Sequence, residues 1–244
     1  MLKQDTVLLL TAAIDPGNVY GMKRVDKSNR LEDYKNSLKL WLTRQDSIKK
    51  IVFCENTNSD LSEIQKIINS HKDDKEVELL SFYGQNFDMS KGKGYGEGIS
   101  IKYSLQHSKF LKECRYFLKA TGRLYIKNIE EIINNLSVDC DISSMFTSNL
   151  KTINTQLIFF RKEIFINHFI DEYEHVDDSN GMFLENIYAF KVLELLPTKL
   201  NWQPSIRPYF IGYSGTDNKK INTVKYSFKY FLKNLLIKDK AINL

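Results

Sequence analysis

Thr6 to Ile14 is a nearly continuous apolar run, closed by Asp15, Pro16 and Gly17. An unbroken run of this length predicts a strand buried on both faces, with a loop at its carboxyl end. From Arg30 to Arg44 the period changes. Leu31, Tyr34, Leu38, Trp41 and Leu42 recur at helical spacing. Lys50 to Asn56 is a second apolar run with a polar end, and Leu61 to Ser70 a second helix, capped by Ser59 or Asp60. Val77 to Phe82 predicts a third strand. A glycine-rich loop over 91–98 then opens a helix from Gly98 to Leu111, with Ile99, Tyr103, Leu105 and Phe110 on its apolar side. Tyr116 to Ala120 predicts a fourth strand, followed by Thr121, Gly122 and Arg123.

Strands alternating with helices predict an α/β fold with a doubly wound sheet. Ligands of such sheets bind outside the carboxyl ends of the strands. Four polar strand ends should therefore meet at one crevice: Thr11 to Pro16, Glu55 with Asn56, the glycine loop, and Thr121 to Arg123. The second half is less regular. It predicts a strand at Leu157 to Phe160, a helix from Phe165 to Tyr173, and an amphipathic helix from Phe183 to Leu196 halted by Pro197. From Lys219 on, lysines interleave with aromatic and aliphatic residues. That pattern fits an interfacial helix on anionic lipid, or a terminal helix docking its aromatic face on the domain. Without repeat or linker, residues 1–244 read as a single domain. Its parts are a nucleotide-sugar-binding half (1–128), an acceptor and catalytic half (129–218) and a basic aromatic tail (219–244).

The net charge of +5, from 35 basic and 30 acidic residues in 244, is too small to argue for nucleic acid. The three cysteines are distant and odd in number, which predicts a reducing compartment and no disulfide framework. Nothing reads as a signal peptide or a membrane span. The expected location is cytoplasmic, with peripheral contact on the inner face of the cytoplasmic membrane through the tail. The four histidines have no metal-ligand spacing, so no zinc site is expected.

The octapeptide at 91–98, KGKGYGEG, holds four of the eleven glycines. Glycines let a backbone approach a ligand, and amides at a helix start with two nearby lysines suit a diphosphate. The segment is no P-loop, because Gly94 follows Lys93 where a hydroxyl for magnesium should stand. It is no Rossmann fingerprint either, because it follows the third strand instead of the first.

The order of these parts resembles bacterial glycosyltransferases of capsule and lipopolysaccharide clusters, with a GT-A-like fold. The parts are a strand, an Asp-Pro loop, a strand ending in Glu-Asn, a third strand, the glycine–lysine segment, and a strand ending in Thr-Gly-Arg. The resemblance covers residues 6–128 and implies a glycosyltransferase acting on a nucleotide-diphosphate sugar, with UDP as the expected nucleotide. The implied acceptor is a glycan or lipid-linked saccharide in surface polysaccharide synthesis. By the same resemblance Thr11, Ala13 and Pro16 frame the base, and Glu55 and Asn56 bond base or ribose. Lys91, Lys93 and Glu97 meet diphosphate and sugar. Many such enzymes carry Asp-x-Asp after the fourth strand and hold Mn²⁺ or Mg²⁺ there. This chain has Thr121, Gly122 and Arg123, which suggests a metal-independent site where Arg123 meets the diphosphate. A loop around Arg207 would close over the phosphates.

A carboxylate base must take the acceptor proton. Glu185, among Met182, Phe183, Leu184 and Ile187, is the first candidate, with Asp177 and Asp178 competing. The run from Asp171 to Asp178 reads equally as a solvated acidic loop. The alternative functions are a nucleotidyltransferase on sugar phosphates, or a non-catalytic carbohydrate- or nucleotide-binding module.

Overall fold

The computed structural model describes residues 5–71, 75–147 and 149–221. Most of the tail, residues 222–244, lies outside the described residues. The first apolar run forms β1 (Thr6–Ala12), buried along its whole length. Its side chains alternate between two cores. Leu8 and Leu10 join one, Val7 and Leu9 the other, as the two-residue period of a strand requires. Helix α1 (Lys27–Thr43) is capped by Asp26, whose carboxylate accepts the Asn29 N–H at 2.8 Å. It packs on the first core with α2 (Ser62–Asn69).

Parallel strands β2 (Lys50–Glu55) and β3 (Glu76–Ser81) extend the sheet on one side of β1, and β4 (Tyr116–Thr121) lies parallel on the other. β7 (Leu157–Arg161) runs antiparallel to β4. With β6 (Ile142–Ser144) and β8 (Trp202–Pro204) it completes a seven-stranded mixed sheet, in the order β3-β2-β1-β4-β7-β6-β8. A small antiparallel pair, β5 (Leu124–Ile126) and β9 (Phe210–Gly212), sits apart from it.

The main departure from the sequence pattern is at the glycines. They do not form a loop. Helix α3 spans Gly92–His107, with a short α4 (Lys109–Glu113) behind it. Four glycines lower helix propensity considerably, so tertiary packing must hold this turn. A Cβ on Gly98 would lie 2.0 Å from the Tyr173 Cβ, and one on Gly94 2.8 Å from the Leu184 Cβ. The glycines let α3 press against the 173–184 segment, just before α5 (Leu184–Leu195).

Candidate functional site

A cavity of about 570 Å³ opens over the carboxyl ends of β1, β2 and β4. Of the residues singled out from sequence, it is lined by Thr11, Ala13, Pro16, Asn56, Lys93, Glu97, Thr121, Arg123 and Glu185. The strand ends meet there because β1 lies between β2 and β4, where the chain's winding direction reverses.

The other candidates are placed elsewhere. Glu55 is fully buried, and both its oxygens are committed within the chain. Oε1 accepts the Ile14 N–H at 2.9 Å and bonds the Thr57 hydroxyl, while Oε2 accepts the N–H groups of Thr57 and Ser59. It holds two strand-end loops together and has no oxygen left for a base or ribose. Lys91 lies outside the cavity lining, its Nζ 4.4 Å from the Tyr95 ring centre. Arg207 lines a neighbouring cavity of about 270 Å³, not the main one. Asp177 caps a short turn through Ser179 and Asn180.

Asp178 changes the reading of the glycine segment most. It is buried against the start of α3, where the backbone N–H groups of Lys93 and Gly94 favour its charged form, while its Oδ1 has no hydrogen-bond partner among the described residues. The chain's own carboxylate thus takes the helix start that seemed suited to a diphosphate. A Cβ on Gly92, at φ +83°, would collide with that carboxylate. Burial, and then the nearby charge of Glu185, push Asp178 up to about 6.

Positive charge reaches the cavity from other directions. Arg123, half-buried, donates from Nε to the Tyr213 carbonyl at 3.0 Å. Arg30, on α1, is 1% exposed and was not singled out by sequence, where it read as an ordinary helix residue. Its Nε donates to the Ala13 carbonyl at 2.6 Å, Nη1 to the Arg24 carbonyl and the Met22 sulfur, and Nη2 to the Tyr34 hydroxyl. No described carboxylate pairs with Arg30 or Arg123. Burial draws the Arg123 pKa down, and the charge of Arg30 adds to that. Lys93 reaches from the α3 side to the Thr216 hydroxyl at 2.7 Å.

On the cavity floor two carboxylates serve different groups. Glu97 accepts buried Lys119 and the Thr11 hydroxyl, both on Oε1. Burial lowers the Lys119 pKa against the opposing pull of Glu97. Glu185, at the start of α5, is half-buried and accepts the Thr155 hydroxyl at 3.1 Å. The segment 213–218 forms a strap along the rim. The Gly215 carbonyl accepts the N–H groups of Lys23 and Arg24, and Arg24 lies over the Tyr213 ring.

No protein-family model matches the chain, and no curated protein sequence matches it. Solved structures do. The mannosyltransferase PcManGT from Pyrobaculum calidifontis, solved in complex with GDP-Man and Mn²⁺, aligns over 95% of this chain and 64% of its own. The identity is 8% and the TM-score 0.51. The inositol-1-phosphate CTP transferase from T. maritima aligns over 95% of this chain and 97% of its own, at 9% identity and TM-score 0.50. The fold is GT-A-like. At such identities the likeness carries the fold and leaves activity to be argued from the site.

The Mn²⁺ in that neighbour raises the question of a metal here. The end of β4 presents Thr121, Gly122 and Arg123, and the nearby Glu97 oxygen is held by Lys119. Among the described residues no three His, Cys, Asp or Glu side chains group to hold a metal. A hard cation needs several oxygen ligands, and the cavity lining sets three carboxylates, Glu97, Glu185 and Asp217, beside three cations, Arg30, Lys93 and Arg123.

Proposed function

We propose that this chain transfers a hexose-type sugar from a nucleoside diphosphate donor to a glycan or lipid-linked acceptor, in bacterial surface polysaccharide synthesis. The observation that carries the reading is the pair of guanidinium groups, Arg30 and Arg123. They converge on a strand-end cavity without a described carboxylate partner. A buried and a half-buried cation without a carboxylate partner favour an anion beside them, and guanidinium N–H groups suit phosphate oxygens.

In this mechanism the diphosphate lies against Arg30, Arg123 and Lys93. Glu185 accepts the proton of the acceptor hydroxyl. The oxygen bonds to the anomeric carbon while the bond from that carbon to the diphosphate breaks, and the arginines stabilise the departing negative charge. No metal takes part. Asp177 and Asp178 are not needed as bases, since one is a turn cap and the other closes the start of α3. Peripheral membrane contact through 219–244 belongs to the same proposal. Among the described residues no helix is long and apolar enough to cross a membrane.

The test is a screen of nucleotide sugars with a glycan acceptor, following release of nucleoside diphosphate. Acceptor-dependent release that is lost in Glu185→Gln supports the proposal. A second reading, a nucleotidyltransferase, is favoured by the match over nearly the full length of the CTP transferase. Pyrophosphate release from a nucleoside triphosphate with a sugar phosphate, and no turnover of any sugar nucleotide, would select it.

A further inference from the structure

A lysine stands within β4, a strand buried along its whole length. Lys119 is 1% exposed and lies behind the cavity lining, not in it. Burying its charge is costly, and an apolar residue of similar size often serves a core as well or better. Its contacts give it a different use. Nζ donates to Glu97 Oε1 and, at 2.6 Å, to the Thr155 carbonyl. The hydroxyl of buried Thr155 donates in turn to Glu185 Oε1 at 3.1 Å. Two residues earlier, the Ile153 N–H donates to the Glu185 carbonyl at 3.0 Å. One ammonium thus binds one cavity carboxylate directly and braces the segment that holds the other. Glu97, Thr155 and Glu185 all line the cavity. Among the described residues the side-chain bond to Glu185 falls on Oε1, which leaves Oε2 to take a proton.

Charge supports the same connection. Carboxylates that line one cavity discourage each other's ionisation, and a cation near both offsets this. Burial works against the Lys119 charge, Glu97 and then Glu185 support it, and Arg123 opposes it. Such support is mutual, since a coupling free energy between two sites is reciprocal. We propose that Lys119 and Thr155 are positioning residues, a buried ammonium and a buried hydroxyl that hold Glu185 ionised and in one orientation for proton abstraction. The inference rests on the reading of Glu185 as the base and extends it to a residue behind the cavity wall. The acceptor O–H bond breaks as its proton passes to Glu185 Oε2, and Lys119 keeps its own protons throughout.

Two measurements test this, and the first needs no substrate. In NMR of the full chain labelled with ¹³C at lysine Cε, Lys119 should lose its proton at lower pH in Glu185→Gln than in the wild type. One of the charges that support it is then gone, while Glu97 and Arg123 are unchanged. The second measurement uses the nucleotide sugar found by the release screen. Thr155→Val, which removes the hydroxyl at similar size, should lower kcat about tenfold or more and leave KM unchanged. Thr155→Ser, which keeps the hydroxyl, should turn over like the wild type. An unchanged Lys119 titration in Glu185→Gln, wild-type turnover in Thr155→Val, or a loss confined to KM overturns the positioning role and leaves Glu185 standing as the base. Wild-type turnover in Glu185→Gln overturns the base and the positioning role together, as does a screen in which no sugar nucleotide turns over. Should Thr155→Val fail to fold, the Lys119 titration decides by itself.

Discussion

Single residues with the same charge do different work in this cavity. Glu97 and Glu185 both line it, yet Glu97 neutralises buried Lys119, while Glu185 accepts only a neutral hydroxyl among the described residues. Glu97→Gln should therefore cost about 3 kcal/mol of stability, because it strands a buried ammonium. Urea unfolding measures it. Glu185→Gln should leave stability nearly unchanged and lower kcat about a hundredfold or more, the usual contribution of a positioned base. A variant with normal turnover would remove Glu185 from the mechanism. Arg123 tests the cationic side. Its guanidinium is half-buried, and the charge of nearby Arg30 disfavours its own. Arg123→Met should weaken nucleoside diphosphate binding about tenfold or more, as expected for a lost charge-assisted bond. It should leave the melting temperature of the free protein unchanged or raised. A fall in melting temperature with unaltered binding would assign Arg123 to the fold.

At the scale of elements, α3 carries the lesson. Its glycines were plain in the sequence. Their meaning depended on whether the segment was loop or helix, and weak intrinsic propensity pointed to a loop. Contacts distant in sequence decide it: Tyr173 against Gly98, Leu184 against Gly94, Asp178 against Gly92. Gly98→Ala should cost about 2–3 kcal/mol through overpacking against the Tyr173 Cβ, which no rotamer can move. Gly96 meets only the tip of the Phe87 ring and an amide nitrogen at 3.3–3.5 Å. Gly96→Ala should stay within about 1 kcal/mol of wild type, helped by the better propensity of alanine. Chemical denaturation of the two variants separates close packing from mere flexibility.

Asp178 at the same helix start gives a pH signature. Its pKa is raised to about 6 in the folded chain, above the value of about 3.9 for a free aspartate. The folded state thus binds more protons between those values, and stability falls as pH rises through that window. Asp178→Asn should gain on wild type between pH 4 and 7 and hold that gain above it. Denaturant melts at pH 4.5 and 7.5 compare the two, and a pH-independent difference would contradict the assignment. The longer elements were legible because burial on two faces leaves unbroken apolar runs. The three-residue strands β5, β6, β8 and β9 are too short to show a period. Arg30 and the internal role of Glu55 were hidden for a related reason, since only folded contacts separate a buried arginine or a loop clamp from surface polar residues.

At the scale of the whole molecule, the sheet and the strap together decide how charge is handled. Reversal of winding at β1 gathers strand ends from two directions, and the 213–218 segment ties across them to Lys23 and Arg24. The cavity wall carries Arg30, Arg123 and Lys93 beside the carboxylates Glu97, Glu185 and Asp217, which are not grouped as a metal-dependent site would need. Anion binding should then need no divalent cation. A ligand at a hundred times its Kd stabilises the folded state by about 2.7 kcal/mol. For a chain of this size that corresponds to a rise of roughly 5–10 °C in melting temperature. Saturating UDP should give this rise equally in EDTA and in Mn²⁺, and sugar transfer should proceed at full rate in EDTA. The rise should also shrink as salt increases, since exposed portions of the phosphate contacts are screened. A shift and a turnover that appear only when Mn²⁺ is restored would overturn the arginine-held diphosphate. The diphosphate would then require a cation-binding arrangement that the described residues do not form by themselves.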